Sequence, residues 1–324
     1  MQSTFKISQF SLLITFCLFS FSSFAEILPT ISTSKTGTFR IVESSCPKNE
    51  SFCEGTCTWS DGSNYSGEFQ NGLPHGYGEQ SWQDGSYYEG TYVNGYRHGK
   101  GNQLLDNGDQ YIGSFTGGQM NGMGTYIWAS GAVYKGGYVN DKITGFGTIT
   151  YPNGVSYEGN WKNGKPHGEG VFNTAGGARF AGNYKKGKRH GKGVVTFSNG
   201  AVLTGNWYNG FLVKEGLFRF EDGDGFWANF KQGDFDGKVK YNFTQSKREF
   251  VTMKFEKLME QLNSTERSNV ATVYHFIGME YTLDKQFDKA INALETALSL
   301  LPENDVRYDN ILTELTTLKE RANG

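Results

Sequence analysis

Four histidines, His75, His98, His167 and His190, recur at intervals of 23 residues or a multiple of it, and imidazole is a common metal ligand. Ligating nitrogens must lie about 2.1 Å from one ion, however. If each interval is a β-hairpin, successive imidazoles stand about 10 Å apart, twice the strand spacing. They cannot share an ion, so each reads as structural within its own turn. The paired glycines that follow them, Gly76/Gly78 through Gly191/Gly193, imitate phosphate-cradling loops. No helix-forming stretch and no Gly-Lys-Ser/Thr closes the pattern. Neither a nucleophile elbow nor a kinase-like set is present. No cofactor and no catalytic residue are expected, and a binding protein is favoured over an enzyme.

The elements that carry these residues repeat with the same period. Tyr65, Tyr88, Tyr111, Tyr134, Tyr157 and Phe180 open successive units, with Leu203 and Phe226 opening weaker ones. Glycine follows two positions later and an aromatic two after that, as in Tyr157-Glu-Gly-Asn-Trp161. A spacing of two places all three on one face of a strand. Turns follow at Asn71-Gly72, Asn94-Gly95, Asn163-Gly164 and Asn209-Gly210, because these residues accept positive φ. The second strand opens on the paired glycines and ends at turns such as Asp84-Gly85, Asn153-Gly154 and Asn199-Gly200. Each unit is therefore one hairpin, which is marginal alone and needs stacked neighbours. The bare glycines leave room for rings from the adjacent strand.

Tyr157 to Gly170, with Gly164 and His167-Gly-Glu-Gly170, resembles the MORN (membrane occupation and recognition nexus) motif, as do Tyr65 to Gly78, Tyr88 to Gly101 and Phe180 to Gly193. The resemblance covers about 65 to 202 well and 203 to 248 poorly, with a half-unit of Trp59, Asp61-Gly62 and Tyr65 leading in. Asn121 and Thr144 stand in place of the usual His, Asp141 in place of a turn glycine, and the seventh unit keeps neither His nor paired glycine. The resemblance implies a mainly β fold, an elongated single-layer antiparallel sheet of stacked hairpins. It also brings membranes to mind through the family's name.

Met1 to Ala25 reads as a signal peptide: Lys6 precedes an apolar stretch from Phe10 to Phe24 and small residues follow, with cleavage placed before Glu26. The stretch is shorter than the roughly 20 apolar residues a membrane span needs. The mature chain is expected in the periplasm or secreted. It carries 30 Lys and Arg against 33 Asp and Glu, a net charge of −3, which gives no reason to expect nucleic acid. Of its cysteines, Cys46, Cys53 and Cys57 fall in the segment 26–58. A disulfide among them is expected over a zinc site, since no His lies close, with one thiol left over and the pairing open.

Cations recur at the turn joining the two strands of each unit: Arg97, Lys100, Lys142, Lys162, Lys165, Lys185, Lys186, Lys188 and Arg189. Lined along one edge, they could meet anionic phospholipid or an acidic protein through many weak contacts; alternatively they are the charges that polar turns ordinarily carry. Acids lean to the other turn, at Asp61, Asp84, Asp106, Asp109 and Asp222.

Beyond about Gln245 glycine almost vanishes. Phe250, Phe255, Leu258, Met259 and Leu262 suggest a helical face, and Tyr274, Gly278, Ala290, Ala297 and Pro302 look like one tetratricopeptide (TPR) unit, followed by a helix carrying Ile311, Leu315 and Leu318. A single unit must cover its apolar face elsewhere, either by capping the last strand edge of the sheet or by gripping a partner. The organisation expected is a leader over 1–25, a cysteine segment over 26–58, a hairpin array over 59–248 and a helical segment over 249–324. The functional expectation is a scaffold for an unidentified protein partner, with lipid binding as the alternative and a homo-oligomer admissible.

Overall fold

The computed structural model describes residues 41–45, 51–221, 223, 225–231, 234–243, 248–254, 264–283 and 285–323. The leader, Cys17, Cys46, Phe255, Leu258, Met259 and Leu262 lie outside these. The chain divides into two compact units at Asn173/Thr174.

The first unit holds β1 (Ile41–Ser44), β2 (Phe52–Trp59), β3 (Asn64–Gln70), β4 (Leu73–Ser81), β5 (Tyr87–Val93), β6 (Tyr96–Leu104), β7 (Gln110–Thr116), β8 (Gln119–Ile127), β9 (Val133–Val139), β10 (Lys142–Thr150), β11 (Ser156–Lys162) and β12 (Lys165–Asn173). Each strand pairs antiparallel with the next, so chain order is sheet order. The second unit continues the pattern with β13 (Arg179–Lys185), β14 (Lys188–Thr196), β15 (Val202–Tyr208), β16 (Phe211–Arg219), β17 (Gly225–Lys231), β18 (Asp234–Phe243) and β19 (Arg248–Lys254). Three helices follow, α1 (Ser264–Leu283), α2 (Phe287–Leu300) and α3 (Tyr308–Asn323).

The expected onset of helix at 249 is corrected. Residues 248–254 form a strand on the open edge of β18, with Phe250 opposite Tyr241 and Met253 opposite Val239. Val251 and Thr252 are β-branched, and pairing supplies hydrogen bonds to an edge that would otherwise lack them. The segment 26–58 also contains more sheet than expected. In β2, Gly55 sits opposite Gly67, in phase with the later glycine pairs.

One hairpin shows why the residues recur. Gly90 faces Gly101 across β5 and β6, and the register then shifts so that Tyr92 faces Arg97; between these pairs the second strand carries two residues more than the first. Gly99 takes φ 62° inside this bulge, a left-handed conformation that a side chain would resist. The Tyr88 ring lies across the glycine pair so closely that a Cβ on Gly101 would stand 2.4 Å from its hydroxyl oxygen. Its hydroxyl donates to the Thr91 carbonyl at 3.1 Å, a carbonyl freed by the bulge, so ring and bulge complete each other. Tyr65, Tyr111 and Tyr157 donate in the same way at 2.8, 3.0 and 3.1 Å.

The rings also pack edge to face in a continuous series. Tyr65, Tyr92, Tyr88, Phe115, Tyr111 and Tyr138 follow one another at centroid distances of 5.1 to 5.2 Å. Contacts of this geometry contribute about 0.5–1.5 kcal/mol each beyond the area they bury. The core of this single layer is thus a row of rings on one face, each no more than 2 % exposed.

In the second unit the helices cover that face. Phe276 of α1 lies 5.8 Å from Phe197 and 5.9 Å from Phe218, and Asn199 donates to the Thr272 hydroxyl at 3.3 Å. The described contact is therefore with β16 and the turn after β14, before the last strand, and not at a terminal edge. Gly278 lets α1 meet α2, since a Cβ there would stand 2.7 Å from Leu294. Ala271, Ala290, Leu294, Ala297, Ile311 and Leu315 make the helical core.

Candidate functional site

The nine cations of the expected basic edge do not share one environment. Lys142, Lys162 and Lys165 in the first unit, and Lys185, Lys186 and Lys188 in the second, are exposed at the ends of their strands and in the joining turns. Lys100 lies mid-strand, opposite Ser114, and projects from the face away from the rings. Arg97 and Arg189 turn inward, 9 % and 0 % exposed. Each guanidinium rests over two rings: Arg97 lies 5.6 Å from Tyr88 and 5.3 Å from Phe115, and Arg189 lies 5.4 Å from Phe180 and 5.7 Å from Trp207. Each donates to the turn carbonyl of the next hairpin, Gly118 at 2.7 Å and Gly210 at 2.9 Å. Burial pulls the Arg97 guanidinium below its ordinary value.

Both arginines occupy the position held elsewhere by Pro74, Met120, Ile143, Pro166 and Leu212, all of them buried. That column of apolar residues was visible in the repeat alignment and marked the position as internal. The arginines therefore bind rings and backbone within the fold and are removed from any external edge.

The acidic turns are similarly divided. Asp109 is buried, accepting from Tyr126 at 2.7 Å, from the Ala129 amide at 2.9 Å and from Asn107 at 3.0 Å. Asp84 accepts from Ser86 within its own turn. His75, His98, His167 and His190 each precede a left-handed glycine, one per hairpin. Among the described residues no three His, Cys, Asp or Glu side chains converge. Cys57 is a buried free thiol, its ionisation pushed above the ordinary value by burial.

The face opposite the rings carries a second feature, built from two recurring positions of the repeat. A groove of about 690 Å³ runs across the strands of the first unit from β4 to β10. Glycines 90, 101, 113, 124, 136 and 147 form its floor, because on this face the neighbouring residues carry the side chains. One wall includes Tyr77, Lys100, Met123 and Phe146, and the other includes Glu89, Ile112 and Lys135. Tyr77, Ile112, Met123 and Phe146 are 52 %, 46 %, 62 % and 58 % exposed. Clustered exposed apolar side chains of this kind mark interaction surfaces.

At one end of the groove the Tyr77 hydroxyl donates to the Glu89 carboxylate, which pushes the Tyr77 phenol up. Tyr87 beside it is pushed up to about 12, first by burial and then by Glu79. Lys100 and Lys135 are without an ion-pair partner among the described residues. No helix of the described residues is long and apolar enough to cross a membrane.

The MORN repeat family model matches residues 54–64, 65–87, 88–110, 111–133, 134–156, 157–179 and 180–202. No curated protein matches the chain. Among solved structures it is similar to the TCP10 domain of Danio rerio CPAP in complex with a peptide of Danio rerio STIL, at 12 % identity and TM-score 0.30, over 56 % of this chain and 96 % of that one. It is also similar to the Drosophila melanogaster SAS-4 TCP domain in complex with a proline-rich motif of Ana2, at 12 % identity and TM-score 0.26, over 70 % and 99 %. Likenesses this loose say nothing of what this chain binds.

Proposed function

We propose that this chain, which carries seven MORN repeats over residues 54–202, is a non-enzymatic scaffold that holds a protein partner on the open face of its hairpins. The observation that carries the reading is the groove with Tyr77, Ile112, Met123 and Phe146 exposed along it. Four large apolar side chains in water cost free energy that a partner recovers, at roughly 25 cal/mol per Å² covered. The order of charge, apolar stretch and small residues in Met1 to Ala25 supports export, placing the mature protein in the periplasm or outside the cell.

Six exposed turn lysines, Lys142, Lys162, Lys165, Lys185, Lys186 and Lys188, support a second reading as a peripheral binder of anionic lipid. That reading is weaker with Arg97 and Arg189 buried and Lys100 on the open face.

Two measurements on the chain from residue 26 separate the readings. Sedimentation with neutral and anionic vesicles at low and physiological salt is expected to leave it in the supernatant. Affinity purification from its source is expected to retain a partner that the Met123→Glu/Phe146→Glu variant loses, with unchanged circular dichroism. Salt-sensitive binding to anionic vesicles, abolished by Lys185→Glu, Lys186→Glu and Lys188→Glu, would instead establish the lipid reading.

A further inference from the structure

We infer that the groove takes an extended peptide segment bearing two carboxylates an odd number of residues apart, three or five, with apolar side chains between them. The inference rests on the protein-binding reading of the open face and names what that face would recognise.

The width of the groove selects the backbone conformation. On each strand the two wall residues flank one glycine, as Lys100 and Asn102 flank Gly101, so their Cα atoms stand about 7 Å apart, two strand rises. A helix with side chains is about 10–12 Å across and does not enter; a single extended chain does. The length selects the number of residues. From β4 to β10 is six strand spacings, about 29 Å, which about nine extended residues span. The floor amides and carbonyls already serve the ladders between β4 and β10, so recognition falls to the walls.

Those walls have a definite charge order. Glu89 is engaged by Tyr77, leaving Lys100 on β6 and Lys135 on β9 as the groove's unengaged charges. Three strand spacings separate them along the groove, about 14 Å, and they stand on opposite walls, so the acids that meet them in an extended chain, whose side chains alternate sides, are an odd number of residues apart, three or five. Between them lie Ile112 on β7 and Met123 on β8, and Phe146 follows on β10. The complement is an acidic residue at each lysine, aliphatic side chains over Ile112 and Met123, and a further apolar residue at Phe146.

The test is selection of random twelve-residue peptides displayed on phage against the full chain from residue 26, followed by affinities of the enriched peptides as free synthetic probes. We expect enrichment of two acidic residues three or five apart, at least tenfold weaker binding to the Lys100→Glu/Lys135→Glu variant, and recovery when the peptide's two acids become lysines. Peptides that bind the groove, judged by their loss on Met123→Glu/Phe146→Glu, yet lack the acidic pair or ignore the charge reversal would overturn this inference and leave the scaffold reading intact. Enriched peptides that bind as helices would do the same. Peptides indifferent to both variants would remove the groove as a site, and with it both readings. Both variants alter exposed positions, and an unchanged thermal transition confirms that they fold.

Discussion

The hairpin of β9 and β10 and the hairpin of β15 and β16 have nearly the same backbone and very different fillings. In the first, the Tyr134 ring covers Gly136 and Gly147, and Gly145 takes the left-handed place in the bulge at φ 71°. In the second, Leu203 replaces the tyrosine and Leu212 leans onto Gly205, where a Cβ would stand 2.4 Å from it. Lys214 adopts the left-handed place at φ 63°. Both hairpins shift register at the same point, between Thr144 and Gly147 in one and between Thr204 and Asn206 in the other. The bulge is therefore the invariant, and the ring is one of several ways to fill the space it makes. What the regular hairpins gain from the ring is a phenol that satisfies the freed carbonyl.

The largest expected effect that would break this comparison is alkaline. Burial pushes the phenols of Tyr65, Tyr88, Tyr92, Tyr111, Tyr134, Tyr138 and Tyr157 above their ordinary value. A raised folded value means that the stability is fully present below about pH 10 and is lost as pH rises towards the folded values, by about 1.4 kcal/mol per pH unit for each group. Sheet signal in circular dichroism should collapse above pH 10 together with the rise of tyrosinate absorbance. Tyrosinate appearing near pH 10 with the sheet intact would show the rings to be dispensable.

Next in size is Gly124→Ala, which puts carbon 2.4 Å from the Tyr111 ring and should cost about 3 kcal/mol in urea unfolding. The matching Gly216→Ala meets only side chains of Leu212, Phe230 and Leu203 at 3.0–3.3 Å and should cost about 1 kcal/mol. Equal costs would mean that the two fillings are equally rigid. Arg189→Ala should destabilise by about 3 kcal/mol, whereas Arg189→Met, the residue type found at Met120, should stay within about 1 kcal/mol of the native chain; thermal melts distinguish them. Smallest is Lys214→Gly, expected to stabilise by about 1 kcal/mol by relieving a left-handed non-glycine. A loss of stability there would show that the Lys214 side chain does more than occupy the bulge.

The repeat phase, the glycine pairs and the ring face were legible because each depends on residues that recur every 23 positions. Arg97 and Arg189 were misplaced because turn charges are usually solvated, although the apolar column at Pro74, Met120, Ile143 and Leu212 already contradicted that. Gly55 went unused because Cys53 stands where the other units have their left-handed glycine. The groove was less legible. Its walls are two repeat positions, Tyr77, Lys100, Met123 and Phe146 at one and Glu89, Ile112 and Lys135 at the other, but their residue types vary from unit to unit, and they become neighbours only when strands from different repeats lie side by side. Asp141 was noted only as an exception, but its carboxylate accepts from the Met120 amide at 2.7 Å, a bond that no glycine could make.

The joints between turns have a further consequence. Gly95 donates to the Pro74 carbonyl at 2.8 Å, Gly118 to Arg97 at 2.9 Å, Asp141 to Met120 at 3.1 Å and Gly164 to Ile143 at 2.9 Å. Each of these four joints is main chain to main chain at the same phase, so this part of the link between hairpins is the same whichever residues fill the turn. A gene segment encoding 23 residues can be duplicated or lost, and the protein lengthens or shortens by one step of about 10 Å without new rules of assembly. Such a molecule can be cut to measure, and the spacing of its contacts can evolve separately from their chemistry.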